Sequence, residues 1–136
     1  MIEPLPKEIG HFDYVLHAAG IASPIFYRAQ PLKTIDANSN GLRNFLDYAV
    51  VERNQDRPLK GFLFYSSSEI YGDPVASAIS TPETYRGNVS CTGPRACYDE
   101  TKRFGDTLCV VHAKYEGASR DDGAGHRGEN WRVPGG

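Results

Sequence analysis

Apolar positions along this chain change rhythm several times, and the changes mark its elements. Residues 12–19 (Phe-Asp-Tyr-Val-Leu-His-Ala-Ala) are a short, mostly apolar run that closes on Gly20, the pattern of a buried parallel strand entering a loop. The loop that follows, residues 20–27, would sit at the carboxyl end of that strand, where open α/β sheets bind ligands, and Tyr27 is a candidate contact there. From Pro31 the period lengthens. Ile35, Leu42, Phe45, Leu46 and Ala49 fall on one helical face and Pro31 suits a first turn, which predicts a helix to about Glu52. Asn38, Asn40 and Asn44 are poor helix formers in its middle. Either they face solvent, or an amide is needed on a side that faces a bound cofactor.

Residues 55–60 are polar, and residues 61–65 (Gly-Phe-Leu-Phe-Tyr) read as a second buried strand that runs into a serine cluster. Strand, helix and strand in that order predict a right-handed crossover with parallel strands. The connection over 73–94 holds Pro74, Pro82, Gly87, Gly93 and Pro94. A connection of that length is usually functional or mobile rather than a simple turn. A last helix is predicted over 98–115, with Phe104, Leu108, Val111 and Tyr115 as its core stripe. Residues 117–136 then carry six glycines and six charged residues, with only Ala118, Ala124, Trp131 and Val133 apolar. That composition buries too little to order itself and predicts a disordered tail after a core over 1–116.

Composition narrows the class. At 136 residues, 40% hydrophobic and 24% charged, the chain reads as one soluble globular domain. A net charge of −2 with scattered Lys and Arg lacks the basic footprint of a nucleic-acid binder. The apolar runs are far too short for a membrane span and the start has no signal-peptide pattern, so a cytoplasmic protein is expected. Cys91, Cys97 and Cys109 are odd in number with no Cys-x-x-Cys spacing, which argues against a disulfide framework or a zinc knuckle. The histidines show no ligand spacing, and no metal site is expected.

The chemistry concentrates in residues 61–102. Tyr98 and Lys102 are four apart, so on a helix they share one face. A free phenol titrates near ~10, too high for a base at neutral pH, and a fixed cation beside it favours the phenolate. A hydroxyl such as that of Ser67 could hold the reacting oxygen. The pair alone is a weak signal. It gains weight from its order in the chain, after a strand ending in His17-Ala18-Ala19-Gly20 and a second ending in Ser66-Ser67-Ser68-Glu69-Ile70-Tyr71-Gly72.

With these residues in place, the sequence resembles the extended short-chain dehydrogenases/reductases, the NAD-dependent epimerases and dehydratases of nucleotide sugars. Within that group it is most similar to the UDP-glucuronate decarboxylases. The likeness covers about residues 12–115 and is most specific over 93–103 (Gly-Pro-Arg-Ala-Cys-Tyr-Asp-Glu-Thr-Lys-Arg). It implies an α/β fold, a partial Rossmann-like core of a doubly wound parallel sheet, with NAD as cofactor and a UDP-sugar as substrate. Ser67, Tyr98 and Lys102 match the family's catalytic triad, and Glu69 the glutamate that decarboxylases carry there; Ser68 stands where dehydratases place an aspartate. Ala18, Ala19, Gly20 and Asn38, together with Tyr98 and Lys102, would line the cofactor. Tyr27, Ser67, Ser68, Glu69, Asn88 and Arg95 would face the substrate.

The resemblance implies a reaction with a physical logic. Tyr98 takes the proton of a sugar hydroxyl while hydride leaves the same carbon for NAD⁺. If the sugar is a uronic acid oxidised at C4, the ketone is β to the carboxylate and CO₂ can depart into an enolate.

The pattern also departs from the family. No glycine-rich turn for the cofactor pyrophosphate matches, nor do the first βαβ units or the substrate domain, so the chain reads as a fragment. Epimerisation or dehydration of a nucleotide sugar is the alternative within the class. Another is a non-catalytic remnant or interaction module, because so few strands leave sheet surface open to association. A homodimer through the two helices is expected.

Overall fold

The computed structural model describes residues 3–6 and 8–116. The tail expected over 117–136 lies outside the described residues. Two strands, β1 (Tyr14–His17) and β2 (Gly61–Phe64), form a parallel sheet in the register Tyr14↔Gly61 to His17↔Phe64. Between them run α1 (Pro24–Ala29), α2 (Pro31–Asp36) and α3 (Leu42–Asn54), and α4 (Ala96–Val111) follows the long connection. The strand, helix, strand order and the parallel pairing are those expected from the sequence. β1 is shorter than its apolar run, because Ala18 and Ala19 have left the ladder and are exposed.

The predicted helix from Pro31 is one rod with an irregular middle. α2 passes into a π-helical segment, Ala37–Gly41, and then into α3, with the backbone in the right-handed region at Asp36, Ala37, Gly41 and Leu42. Pro31 occupies the first turn, as its missing N–H allows. The wider turn moves the buried face. Thr34, Asn38, Leu42, Leu46 and Ala49 are buried, while Ile35 is exposed.

The core stripe of α4 also differs from expectation. Phe104, Val111 and Tyr115 are exposed, and of the four stripe residues only Leu108 is buried. The inner face carries Tyr98, Thr101, Lys102, Gly105 and Leu108 instead, spaced by three and four, so polar residues hold positions that hydropathy gave to the opposite side. Gly105 lets α4 come close to the sheet: a Cβ there would lie 2.5 Å from the Phe64 ring and 3.2 Å from Leu42.

Leu42, Leu46 and Leu108 form the core cluster between helices and sheet, with Phe62, Phe64 and Cys109 packed on it. Burial of each leucine contributes about 1.5–3 kcal/mol. A second cluster, Tyr48, Ala49 and Leu59, gathers Leu5, Ile9, Val15 and Phe62. Val15, His17, Phe62 and Phe64 thus face the helices. Tyr14, Leu16 and Leu63, on the opposite side of the two-stranded sheet, are exposed.

Candidate active site

The carboxyl ends of both strands and the first turns of α4 meet at one place. Tyr98 and Lys102, one turn apart on α4, are 7% and 5% exposed. The Lys102 ammonium donates to the carbonyl of Tyr65, just past β2, at 2.7 Å. It lies 4.8 Å from the centroid of the Phe64 ring and 5.9 Å from that of Tyr98. Burial lowers the Lys102 pKa below the ordinary lysine value, with the Asp106 carboxylate pulling it back up. Asp106 in turn accepts from Ser66 Oγ at 2.8 Å. Tyr27 stacks on Tyr98 at 5.2 Å between centroids and 11° between planes. Burial pushes the Tyr27 hydroxyl above the usual phenol range, so this second tyrosine stays protonated and packs against the first.

The π segment delivers Asn38 to the same site. Its Nδ2 donates to Thr101 Oγ1 at 3.1 Å, and the Thr101 hydroxyl is bonded back to the carbonyls of Cys97 and Tyr98 within its own helix. The Asn38 Oδ1 is buried without a hydrogen-bond partner among the described residues and lies against Gly20, where a Cβ would collide with it and stand 4.0 Å from Lys102 Nζ. Of the two readings of the mid-helix asparagines, Asn38 takes the inward one. Asn40 is exposed and donates to Asp36 Oδ1, and Asn44 donates to the Glu3 carbonyl.

These residues fit a nicotinamide cofactor. Gly20 is itself exposed and has no side chain to obstruct a flat ring. Lys102 has three N–H donors, one of which the Tyr65 carbonyl takes.

Opposite stands the short 3-10 turn Ser68–Tyr71. Ser67 is its N-cap, with extended backbone, and its Oγ accepts from the Glu69 N–H at 3.2 Å. That leaves the hydroxyl hydrogen free to donate. Glu69 is paired with Arg95 Nη1 at 2.9 Å. The same guanidinium reaches Asp99 from Nε at 3.4 Å and Asp73 from Nη2 at 3.6 Å. Burial raises the Asp99 pKa above the ordinary carboxyl value. Arg95 opposes the rise, and Glu69, Asp73 and Glu100 add to it.

The long connection is tied down rather than loose. Asn88 pairs with Gly72 in a parallel bridge and donates from its amide to the Asp73 carbonyl at 3.1 Å. Gly72 has φ +65°, and a Cβ there would collide with the Asn88 backbone, so the turn requires glycine. Arg103 donates to the carbonyls of Ile70 and Arg86 at 2.8 and 2.9 Å, which fastens both arms of the connection to α4.

Thus Gly20, Asn38, Tyr98 and Lys102 come together, Tyr27 joins them by stacking, and Ser67 and Glu69 reach the same helix through Arg95. Ser68, Ala18 and Ala19 are exposed, and the Asn88 amide is engaged with its own loop. Sequence reading missed Thr101, Asp99, Asp73 and the ring of Phe64. Arg95 and Asp99 are four apart on a helix, a pairing signal that was available. Thr101 and Asp73 carried none.

Residues 2–119 match the NAD dependent epimerase/dehydratase family. The chain is 41% identical over 117 residues to UDP-glucuronic acid decarboxylase 1 of Xenopus tropicalis, covering 86% of this chain and 25% of that protein. It is 42% identical over 115 residues to UDP-glucuronic acid decarboxylase 5 of Arabidopsis thaliana, covering 85% of this chain and 30% of that one. The chain therefore spans between a quarter and a third of the length of these relatives. Among solved structures it is similar to RMD from Pseudomonas aeruginosa complexed with NADPH, with a TM-score of 0.60 and 26% identity over 77% of this chain and 32% of that one. The parallel α/β core, a partial Rossmann-like fold, and the family match agree, and the chain belongs to the NAD dependent epimerase/dehydratase family.

Proposed function

We propose that residues 1–116 carry the catalytic core of an enzyme that converts UDP-glucuronate to UDP-xylose through a 4-keto intermediate. The observation that carries this reading is the buried Tyr98 and Lys102 pair on α4, with Lys102 bonded to the Tyr65 carbonyl just past β2 and Glu69 tied to the start of the same helix by Arg95. Bound NAD would accept a hydride from the sugar and return it later. Tyr98 takes the proton of the C4 hydroxyl and gives it back at the end. Lys102, fixed by the Tyr65 carbonyl, keeps a cation beside the phenol. Ser67 donates to the reacting oxygen with the hydrogen that its capping role leaves free, and Glu69 orients the sugar or moves a proton once CO₂ has left. Tyr27, Ser68 and Asn88 border the sugar side, and Arg95 acts there through Glu69.

Lys102, Asn38 and Gly20, with Ala18 and Ala19 beside them, would hold the nicotinamide end of the cofactor. The exposed Phe104 and Val111 on α4, with Tyr115 just past its end and Val51 on α3, support a homodimer through these helices. Three free cysteines suit a cytoplasmic setting.

Incubation with UDP-glucuronate and NAD⁺ should release CO₂ and UDP-xylose. Tyr98→Phe should lower turnover by roughly 10²–10⁴-fold, and full turnover in that variant would sink the assigned base. UDP-galacturonate as product would make the reaction an epimerisation. A second reading, a non-catalytic interaction module, is favoured by the uncovered sheet face carrying Tyr14, Leu16 and Leu63. It predicts no calorimetric heat with NAD⁺ at millimolar cofactor.

A further inference from the structure

Arg95 has three carboxylates and one guanidinium to share among them. Glu69 takes Nη1 at 2.9 Å, Asp99 approaches Nε at 3.4 Å, and Asp73 stands 3.6 Å from Nη2. The three differ in surroundings. Asp73 is almost fully exposed, so its attraction is screened by water. Glu69 is partly exposed. Asp99 is buried on the first turn of α4, beside Tyr98, and its second oxygen, Oδ1, has no hydrogen-bond partner among the described residues. A buried carboxylate with one unused oxygen is costly to keep unless the other oxygen holds something that matters.

What it holds is the base of the Arg95 fork. The ion pair at Nε lies on one side of the planar guanidinium, and Nη1, on its other side, meets Glu69. With each of its edges facing a carboxylate, Arg95 has little positive charge to offer a substrate.

We propose that Arg95 is a positioning residue that holds the Glu69 carboxylate at the sugar side of the site, and that Asp99 is the buried anchor that sets Arg95. This rests on the reading of Glu69 as a group that acts on the sugar. It moves Arg95 from direct substrate contact to a second layer of support, one helical turn behind the tyrosine base.

One arm of the test needs no activity. In ¹⁵N side-chain spectra of the full chain, the Arg95 Nε–H, assigned by its loss in Arg95→Lys, should be resolved and protected from exchange. It should stay protected in Asp99→Asn, which keeps an acceptor, and in Glu69→Gln, which leaves Asp99 in place. It should be lost in Asp99→Leu. An unprotected Nε–H in the unaltered chain, or protection that vanishes in Glu69→Gln, overturns the anchor even if Asp99→Leu does not fold.

The second arm is a double-mutant cycle with UDP-glucuronate and NAD⁺. Arg95→Met should lower kcat by about the factor that Glu69→Gln does, on the order of 10²-fold, with KM little changed. The double variant should be no worse than Glu69→Gln alone. A rise in KM in Arg95→Met that persists on the Glu69→Gln background would show direct substrate contact and overturn the positioning role. No turnover by the unaltered chain would defeat the proposed function instead, and the Nε–H arm would then decide the anchor by itself.

Discussion

His17 ends β1 directly beneath the site, 2% exposed, edge-on to Phe45 at 5.7 Å and tilted against Phe64 at 5.8 Å. Neither ring nitrogen has a hydrogen-bond partner among the described residues. Burial lowers its pKa below the ordinary 6.5, the Lys102 cation lowers it further, and its own backbone opposes the shift with a smaller effect. The sign of the stability effect follows. Just below 6.5 the unfolded chain takes up a proton that the folded chain refuses, so stability falls as pH drops from 6.5 toward the depressed folded value. Chemical denaturation at about pH 7.5 and about pH 5.5 should show this loss, and His17→Leu should reduce it. An equal pH dependence in the two proteins would remove His17 as its source. The imidazole was read from sequence only as part of a strand end, because a lone histidine in an apolar run does not reveal whether its nitrogens have partners. Tyr98 and Lys102 were legible for the opposite reason: helical spacing alone puts both on one face.

Among the elements, α4 shows where hydropathy misleads. Phe104 and Val111, with Tyr115 just past its end, promised a core face, yet the helix buries Tyr98, Thr101 and Lys102. Each has partners inside: an aromatic stack, the Asn38 amide and the Tyr65 carbonyl. Pattern reading ranks residues by their cost of burial and cannot see partners that arrive from other elements. Gly105 was invisible in the same way, since a helical glycine normally weakens a helix by about 1 kcal/mol against alanine. Here its bare backbone admits Phe64 and Leu42. Gly105→Ala should therefore destabilise by about 1–3 kcal/mol through overpacking, more than the helix gains. Because the displaced ring is the one under Lys102, cofactor affinity should fall too. Urea melts and NAD⁺ calorimetry on this variant check both effects, and an increase in stability would mean that the contact relaxes freely.

For the whole molecule, the described residues cover the sheet on one side only. Tyr14 is 70% exposed, Leu16 57% and Leu63 43%, adjacent across two paired strands. Exposed apolar patches on paired strands promote association. Dynamic light scattering should find concentration-dependent association, and Leu16→Thr with Leu63→Thr should reduce it while leaving the helix-covered face intact. No change in those variants would shift the association to α4. Two-sidedness was foreseeable as a class of problem from the small number of strands. Which side chains it would leave in water was not, because that depends on the one-residue phase of each strand against the helices.

The π turn at Ala37–Gly41 has a consequence for length variation. It sets the phase along the rod from Pro31 to Asn54: Asn38, at its start, is phased to the site, and Leu42 and Leu46, beyond it, to the core. Deleting one residue at Ser39 would let the segment relax to an ordinary helix and rotate one half against the other by about 100°. Either the amide leaves the site or the leucines leave the core. A single-residue deletion there should cost more than any substitution of Ser39.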